Sequence, residues 1–184
     1  MTDNMDSHDS DIYVELGWIT LVFGSNPSVP YVPTRKETLD VILDSIELGR
    51  EDIFYDLGCG DGRVVVEVAK RFPVKKAVCI EARRDLVEEA KKKAVEAGVS
   101  DRVVIIHGDF FKVPIRDATV VYMYLLTSVN EALKPKLERE LREGARIITL
   151  DFQIPGWKPV EILGEKAGWQ RTLYVYVIGK SNRR

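Results

Sequence analysis

Residues 53–63 read Ile-Phe-Tyr-Asp-Leu-Gly-Cys-Gly-Asp-Gly-Arg. An apolar run ends in an acid, Asp56, and three glycines follow at alternate positions, Gly58, Gly60 and Gly62. Val64, Val65, Val68, Ala69 and Phe72 then recur with a helical period. The pattern is a strand, a tight glycine turn and a helix N-terminus, by which α/β proteins bring their backbone close to a nucleotide-like ligand. A dinucleotide fingerprint needs glycine at the first, third and sixth positions. Counted from Gly58, the sixth position is Arg63. No Gly-Lys-Ser/Thr follows, so the phosphate-binding lysine loop is missing as well.

The turn therefore favours a nucleoside ligand without a pyrophosphate, and S-adenosylmethionine is the leading candidate. Asp56, Gly58 and Gly60 are its first candidate contacts. Outward from the turn the pattern alternates. Strands are expected near 53–57, 76–80, 102–107, 118–125 and 145–151, and helices near 62–71, 84–97 and 129–142. The second of these helices presents Leu86, Ala90, Ala94 and Ala97; the third presents Leu133, Leu137 and Leu141, with Pro135 in a first turn or at a kink. Strands alternating with helices argue for a mostly parallel sheet covered on both faces. After residue 151 the rhythm breaks, and the runs 160–163 and 172–178 read as an antiparallel hairpin added at one edge.

Upstream, Thr34 and Glu37 have capping-box spacing for a helix marked by Leu39, Ile42, Leu43 and Ile46 and ended by Gly49. Pro27, Pro30 and Pro33 punctuate the loop before it. Residues 12–23 are apolar and fit a short helix or a strand, capping the core or meeting a partner. Residues 1–11, rich in Asp and Ser, read as a disordered acidic tail ahead of a single domain over 12–184, with an N-terminal apolar segment and proline loop at 12–34 and a core at 35–184.

The 184 residues carry a net charge of −2, and five acids but no Lys or Arg fall within residues 1–34. The remainder holds 27 bases against 24 acids, too slight an excess to argue for nucleic acid. No stretch reaches the ~20 apolar residues of a membrane span, and the acidic start lacks a signal-peptide order. Cys59 and Cys79 show no metal-ligand spacing, so a reduced, cytoplasmic chain is expected, with Cys59 as a packing residue. His8 and His107 form no metal or nucleophile arrangement. Two Gln and four Asn beside 30% charged residues suggest a thermostable protein from a hot source.

Two later acids extend the constellation. Glu81 ends the second parallel strand, where a carboxylate can accept from both ribose hydroxyls. Asp109 follows the third strand, where it can accept from an exocyclic adenine amine while Phe110 stacks on or edges the base. Each acid also fits an ordinary turn. With Asp56 and Gly58, however, both fall at strand C-terminal ends, the edge where open α/β sheets bind ligands.

This set resembles the class I S-adenosylmethionine-dependent methyltransferases over residues 30–179: Asp56-Leu-Gly-Cys-Gly-Asp-Gly62 is similar to their first motif, Glu81 to the ribose acid, and Asp109-Phe110 to the adenine site. The resemblance implies one Rossmann-like α/β domain with a mostly parallel seven-stranded sheet and a C-terminal antiparallel hairpin. The short 152–159 connection departs from the helix-bearing one usual there. Pro30-Tyr-Val-Pro-Thr34, Leu125-Leu-Thr-Ser-Val-Asn130, Leu133-Lys-Pro-Lys-Leu137 and Asp151-Phe-Gln-Ile-Pro-Gly-Trp157 together look like the small archaeal protein-lysine methyltransferases. Those are similar to mitochondrial lysine methyltransferases acting on ATP synthase subunit c and, more distantly, to non-SET histone lysine methyltransferases. The resemblance implies methyl transfer to lysine side chains of a protein partner, by a monomer, without nucleic acid or membrane.

The fourth strand ends in Tyr122-Met-Tyr124-Leu125 rather than the Asp/Asn-Pro-Pro-aromatic tetrapeptide of DNA amino-methyltransferases. Tyr124 is the candidate wall of an acceptor channel, with Asn130 and Trp157 beside it; sheet packing and a core-edge position are the structural alternatives for Tyr124 and Trp157. Tyr31 and Thr34 are candidates for the methionine end of the cofactor, although capping alone explains Thr34. Rival readings are a methyltransferase of RNA or a small molecule, a non-catalytic S-adenosylmethionine-binding module and, more distantly, a nicotinamide-dependent dehydrogenase.

Overall fold

The computed structural model describes the backbone of residues 12–16 and 19–23, and residues 31–164 and 171–183 in full. The expected tail at 1–11 lies outside the described residues. The chain divides into two units, Met1–Val32 and Pro33–Arg184. In the first, β1 (Ile12–Leu16) and β2 (Ile19–Phe23) pair antiparallel, so the apolar segment is a strand hairpin rather than a helix.

The second unit holds α1 (Lys36–Ser45), β3 (Ile53–Leu57), α2 (Arg63–Arg71), β4 (Lys76–Glu81), α3 (Arg84–Glu96), β5 (Val103–His107), β6 (Val120–Met123), α4 (Thr127–Glu140), β7 (Arg146–Leu150), β8 (Glu161–Leu163) and β9 (Leu173–Val177). The seven strands follow the order β5-β4-β3-β6-β7-β9-β8. Five are parallel, while β9 runs antiparallel to both β7 and β8. This is the sheet with an edge hairpin expected from the alternation. Strand order reverses at β3, so the turn after β3 lies at the topological switch point.

The short connection after β7 carries no helix, although β8 lies beyond β9 at the sheet edge. Side chains brace it instead. Asn130 Nδ2 donates to the carbonyls of Phe152 at 3.0 Å and Gln153 at 3.4 Å, and Lys134 Nζ donates to that of Pro155 at 2.7 Å. The backbone N–H of Ile154 donates to the Tyr176 hydroxyl at 3.0 Å.

Burial explains why these segments are helices. Leu39, Ile42 and Leu43 of α1, Val64, Val65, Val68 and Ala69 of α2, and Leu86, Ala90 and Ala94 of α3 are all buried, the faces their periods predict. Each large apolar side chain so buried contributes about 1.5–3 kcal/mol. One local expectation fails and one is narrowed. The residue before α1 is Arg35, with no side-chain cap hydrogen bond, so the Thr34–Glu37 capping box does not form, and the helix stops at Ser45. Pro135 sits inside α4, not in its first turn, while Leu133 and Leu137 anchor that helix in the core. Among the described residues, no helix is long and apolar enough to cross a membrane.

Candidate cofactor and acceptor site

The chain leaves β3 through Gly58, Gly60 and Gly62, all at positive φ (76°, 56° and 75°). The turn folds back over β4, whose Ile80 carbonyl accepts from the N–H of Gly58 at 2.9 Å and of Cys59 at 3.3 Å. A Cβ on Gly58 would lie 3.2 Å from Leu125 Cδ2 and 3.5 Å from Phe110 Cε1. The Phe110 ring therefore borders the glycine turn. It also meets Phe111, with ring centroids 5.0 Å apart.

Folding back also brings Cys59 to Cys79. Their Cα atoms are 5.3 Å apart and the sulfurs are joined in a disulfide. This corrects the expectation of two reduced cysteines. Cys79 is in register with Asp56 on the neighbouring strand, and the turn carries Cys59 over it, an adjacency that a separation of 20 residues conceals.

Glu81 is held by backbone. Its Oε2 accepts from Gly60 N–H and its Oε1 from Arg83 N–H, each at 2.9 Å. Ionised carboxylate has about four acceptor sites, so two remain for hydroxyl donors. Asp109 Oδ1 accepts from Phe111 N–H at 2.8 Å, closing a turn after β5 that leaves Oδ2 with a single distant cation, Lys112 at 3.8 Å. His107 ends β5 and contacts the Ala82 carbonyl at 3.0 Å.

Asp56 is buried within β3, in register with Cys79 of β4 and Tyr122 of β6. Burial, then the charges of Glu81 and Asp61, hold its carboxyl well above the ordinary carboxylate range. Tyr122, in register with Asp56 on β6, is also buried, and its hydroxyl has no hydrogen-bond partner. The Thr34 side chain is the polar group facing that hydroxyl, without reaching hydrogen-bond geometry. Burial and the nearby Asp56 push the Tyr122 phenol up. A buried hydroxyl without a partner beside a buried acid marks a place for a ligand to complete the polar pairing.

Beneath the turn, Asp61 is buried against two cations. Arg63 contacts it twice, Nε to Oδ1 at 2.9 Å and Nη2 to Oδ2 at 2.7 Å, and Lys93 Nζ also reaches Oδ2. Burial alone would raise the Asp61 carboxyl, but the bonds and charges of Arg63 and Lys93 bring it down to about 2. Arg63 Nη1 donates to the Thr34 carbonyl at 2.8 Å, tying the segment before α1 to the glycine turn. The sequence does not single out Asp61; its only signal is an acid two residues before an arginine inside the turn.

At the acceptor end, Tyr124 follows β6 and stacks on Phe152, with centroids 6.1 Å apart and planes at 28°. Arg171 Nη2 donates to the Tyr124 hydroxyl at 2.6 Å. Asn130 is fully buried, with its amide nitrogen committed to the 152–153 carbonyls and its Oδ1 unpaired. Trp157 is buried edge-on to Tyr176, with centroids 6.2 Å apart, at the core edge. Glu81, Asp109, Asp56, Phe110 and Tyr124 thus gather at strand C-terminal ends. Asn130 and Trp157 instead support the connection beside them. Tyr31 belongs to the first unit.

An acid-lined glycine turn at the switch point of a sheet ending in an antiparallel hairpin defines an S-adenosylmethionine-dependent methyltransferase. Residues 56–161 match the ANTKMT methyltransferase domain model, and the chain belongs to that family. It is 47% identical to a protein-lysine N-methyltransferase of Saccharolobus islandicus (strain REY15A) over 155 residues, 84% of this chain and 96% of that relative. It is 37% identical to the adenine nucleotide translocase lysine N-methyltransferase of Mus musculus over 137 residues, 74% of this chain but 59% of that relative. Among solved structures, an RNA methyltransferase from Salinibacter ruber in complex with S-adenosyl-L-homocysteine superposes with a TM-score of 0.74. It has 39% sequence identity and covers 80% of this chain and 94% of that one.

Proposed function

We propose that this methyltransferase modifies lysine side chains of proteins. The observation that carries the reading is the acceptor end, where Tyr124 stacks on Phe152 and the Asp/Asn-Pro-Pro-aromatic signature of base methylation is lacking. The names of the Saccharolobus islandicus and Mus musculus relatives point the same way.

When bound, the cofactor supplies an electrophilic methyl group on a sulfonium. This chain's residues bind and orient. Asp56 offers its buried carboxylate to the cationic methionine end, with Thr34 and Tyr122 as further polar groups there. Glu81 keeps two acceptor sites for the ribose hydroxyls, Asp109 offers Oδ2 to the adenine amine, and Phe110 borders the base. Gly58 and Gly60 let the backbone approach. Tyr124 and Phe152 exclude water from the acceptor amine. A lysine nucleophile must be neutral, against a reference pKa of about 10.4, and desolvation between aromatic walls favours the neutral form. Orientation then supplies much of the rate. Asn130 and Trp157 act as supports for the 152–157 connection rather than as contacts of the amine. The cellular setting that accompanies this reading is a cytoplasmic, thermostable archaeal monomer.

The test is incubation with labelled methyl donor and host lysate, followed by mass spectrometry of the modified residues. Label on protein lysines is the expected outcome. Label confined to RNA, the substrate class in the name of the Salinibacter ruber protein, would overturn the lysine assignment.

A further inference from the structure

Arg171, Asp151, Tyr124 and Phe152 form a closed ring of contacts on the C-terminal rim of the sheet. Arg171 Nη2 donates to the Tyr124 hydroxyl at 2.6 Å, and its guanidinium carbon lies 5.2 Å from the centre of the Tyr124 ring. Arg171 Nε lies 2.9 Å from Asp151 Oδ2, a charge contact whose N–H is not aligned as a hydrogen bond. Asp151 is clamped to the start of β9 by two bonds: its N–H donates to the Thr172 carbonyl at 2.7 Å, and its Oδ1 accepts from Thr172 N–H at 3.1 Å. Phe152, the next residue, stacks on Tyr124. Three strand ends (β6, β7 and β9) therefore meet in one side-chain assembly.

Asp151 has a φ of +60°, the one positive value at a non-glycine position among the described residues. Such conformations persist where surroundings over-determine them, and they cluster at functional sites. The two bonds to Thr172 hold this one in place. The Arg171–Asp151 pair is about a third and a quarter exposed, and pairs of that exposure contribute little. What the strained backbone does achieve is to aim the Asp151 carboxylate at Arg171, and so to aim Arg171 at the Tyr124 hydroxyl.

We infer that Arg171, held by Asp151, is a positioning residue that sets the hydroxyl of Tyr124 for the acceptor amine. The inference rests on the lysine-methylation reading above. A phenol oxygen has two lone pairs and one proton. The N–H of Arg171 occupies one lone pair and turns the hydroxyl proton away from the guanidinium. The remaining lone pair is then fixed in direction and can accept an N–H from a neutral amine. An amine held through its N–H keeps its own lone pair free to attack.

The experiment is a double-mutant cycle on the full chain, with Arg171→Lys and Tyr124→Phe singly and together, read as kcat, KM and cofactor Kd on a lysine-bearing protein. Arg171→Lys keeps the charge but loses the planar fork. It is expected to lower kcat by about 10- to 100-fold, as misplacement of a reacting group does, with cofactor Kd within about twofold and an unchanged melting temperature. In the Tyr124→Phe background the same substitution should change kcat by less than about twofold, because residues acting as a unit are non-additive. Asp151→Asn tolerates the left-handed backbone but removes the charge, and should reproduce part of the kcat loss. Equal effects of Arg171→Lys in both backgrounds, or a loss confined to cofactor Kd, would overturn the positioning role. If wild-type protein labels RNA alone, the lysine reading fails by itself, and the cycle is still measurable on that acceptor.

Discussion

The backbone N–H of Gly60 donates to Glu81 Oε2 at 2.9 Å, so the acid proposed for the ribose hydroxyls is oriented by the glycine turn itself. Its second oxygen is held by Arg83 N–H, and no side chain is needed to aim it. Glu81→Ala removes both these restraints and the hydroxyl acceptors. Cofactor affinity should fall by about 1–3 kcal/mol. Glu81→Gln should fall comparably, because its amide presents donors where backbone donors already point. Titration calorimetry checks both, and wild-type affinity in either variant would remove the ribose role.

Asp56 gives cofactor binding a pH dependence of defined sign. In the free protein its carboxyl is raised, first by burial and then by Glu81 and Asp61, so protonation of Asp56 relieves the free state. A cationic ligand group beside it favours the carboxylate. Binding should therefore release a proton, and affinity should rise with pH until it passes the raised value of the free protein. Asp56→Asn should weaken binding and flatten that profile. A wild-type affinity that does not rise with pH above the ordinary carboxylate range would count against contact with a cation.

Asp61 titrates in the opposite direction. Burial opposes ionisation, but Arg63 and Lys93 outweigh it and set the carboxyl at about 2, against 3.8 for a free side chain. A depressed acid contributes its stability above the unfolded value and loses it as pH falls through the folded one. The window is thus from about pH 4 down to pH 2, and the contribution is roughly 2 kcal/mol. Asp61→Asn should be less stable than wild type by about that amount at pH 7, with the difference closing toward pH 2. Urea denaturation along a pH series measures it, and a difference that stays constant with pH would refute the assignment.

The Cys59–Cys79 bond closes a loop of 20 residues between the cofactor turn and β4. A link of that length contributes about 3 kcal/mol. Cys79→Ala in oxidised protein should lose most of this, and wild type with a strong reductant should lose a similar amount. Coincident denaturation midpoints with and without reductant would show that the link contributes nothing.

Gly62 has no room for a side chain. A Cβ there would lie 2.6 Å from Ala90 Cβ on α3, and φ is +75°. Left-handed backbone costs an L-residue about 1–2 kcal/mol, and overpacking costs about 1–3 kcal/mol more. Gly62→Ala should therefore be destabilised by roughly 2–5 kcal/mol. Adding Ala90→Gly should recover much of the packing part, and a variant as stable as wild type would contradict the close approach.

Where residues interact with near neighbours, the sequence is a good guide. The capping box at Thr34 and Glu37 is an informative exception. It fails because the helix begins after Arg35, which leaves Thr34 one position ahead of the cap; its carbonyl accepts from Arg63, 29 residues away. Asn130 and Trp157 share a segment with the acceptor candidates, but their side chains turn to the 152–154 connection and to Tyr176. Segment position alone does not give the direction in which a side chain points.

The sequence by itself determined the order of strands and helices, the glycine turn after β3, and the acids at the ends of β3, β4 and β5. These are written in periods of two and 3.6 and in turn chemistry, which act over a few residues. Only the tertiary structure decided that Cys59 joins Cys79, that Arg63 couples Asp61 to Thr34, and that Arg171 reaches Tyr124 across 47 positions of chain. Those contacts depend on which strands become neighbours and on side-chain directions at their ends. Both are set by packing of the whole sheet, so no local pattern carries them.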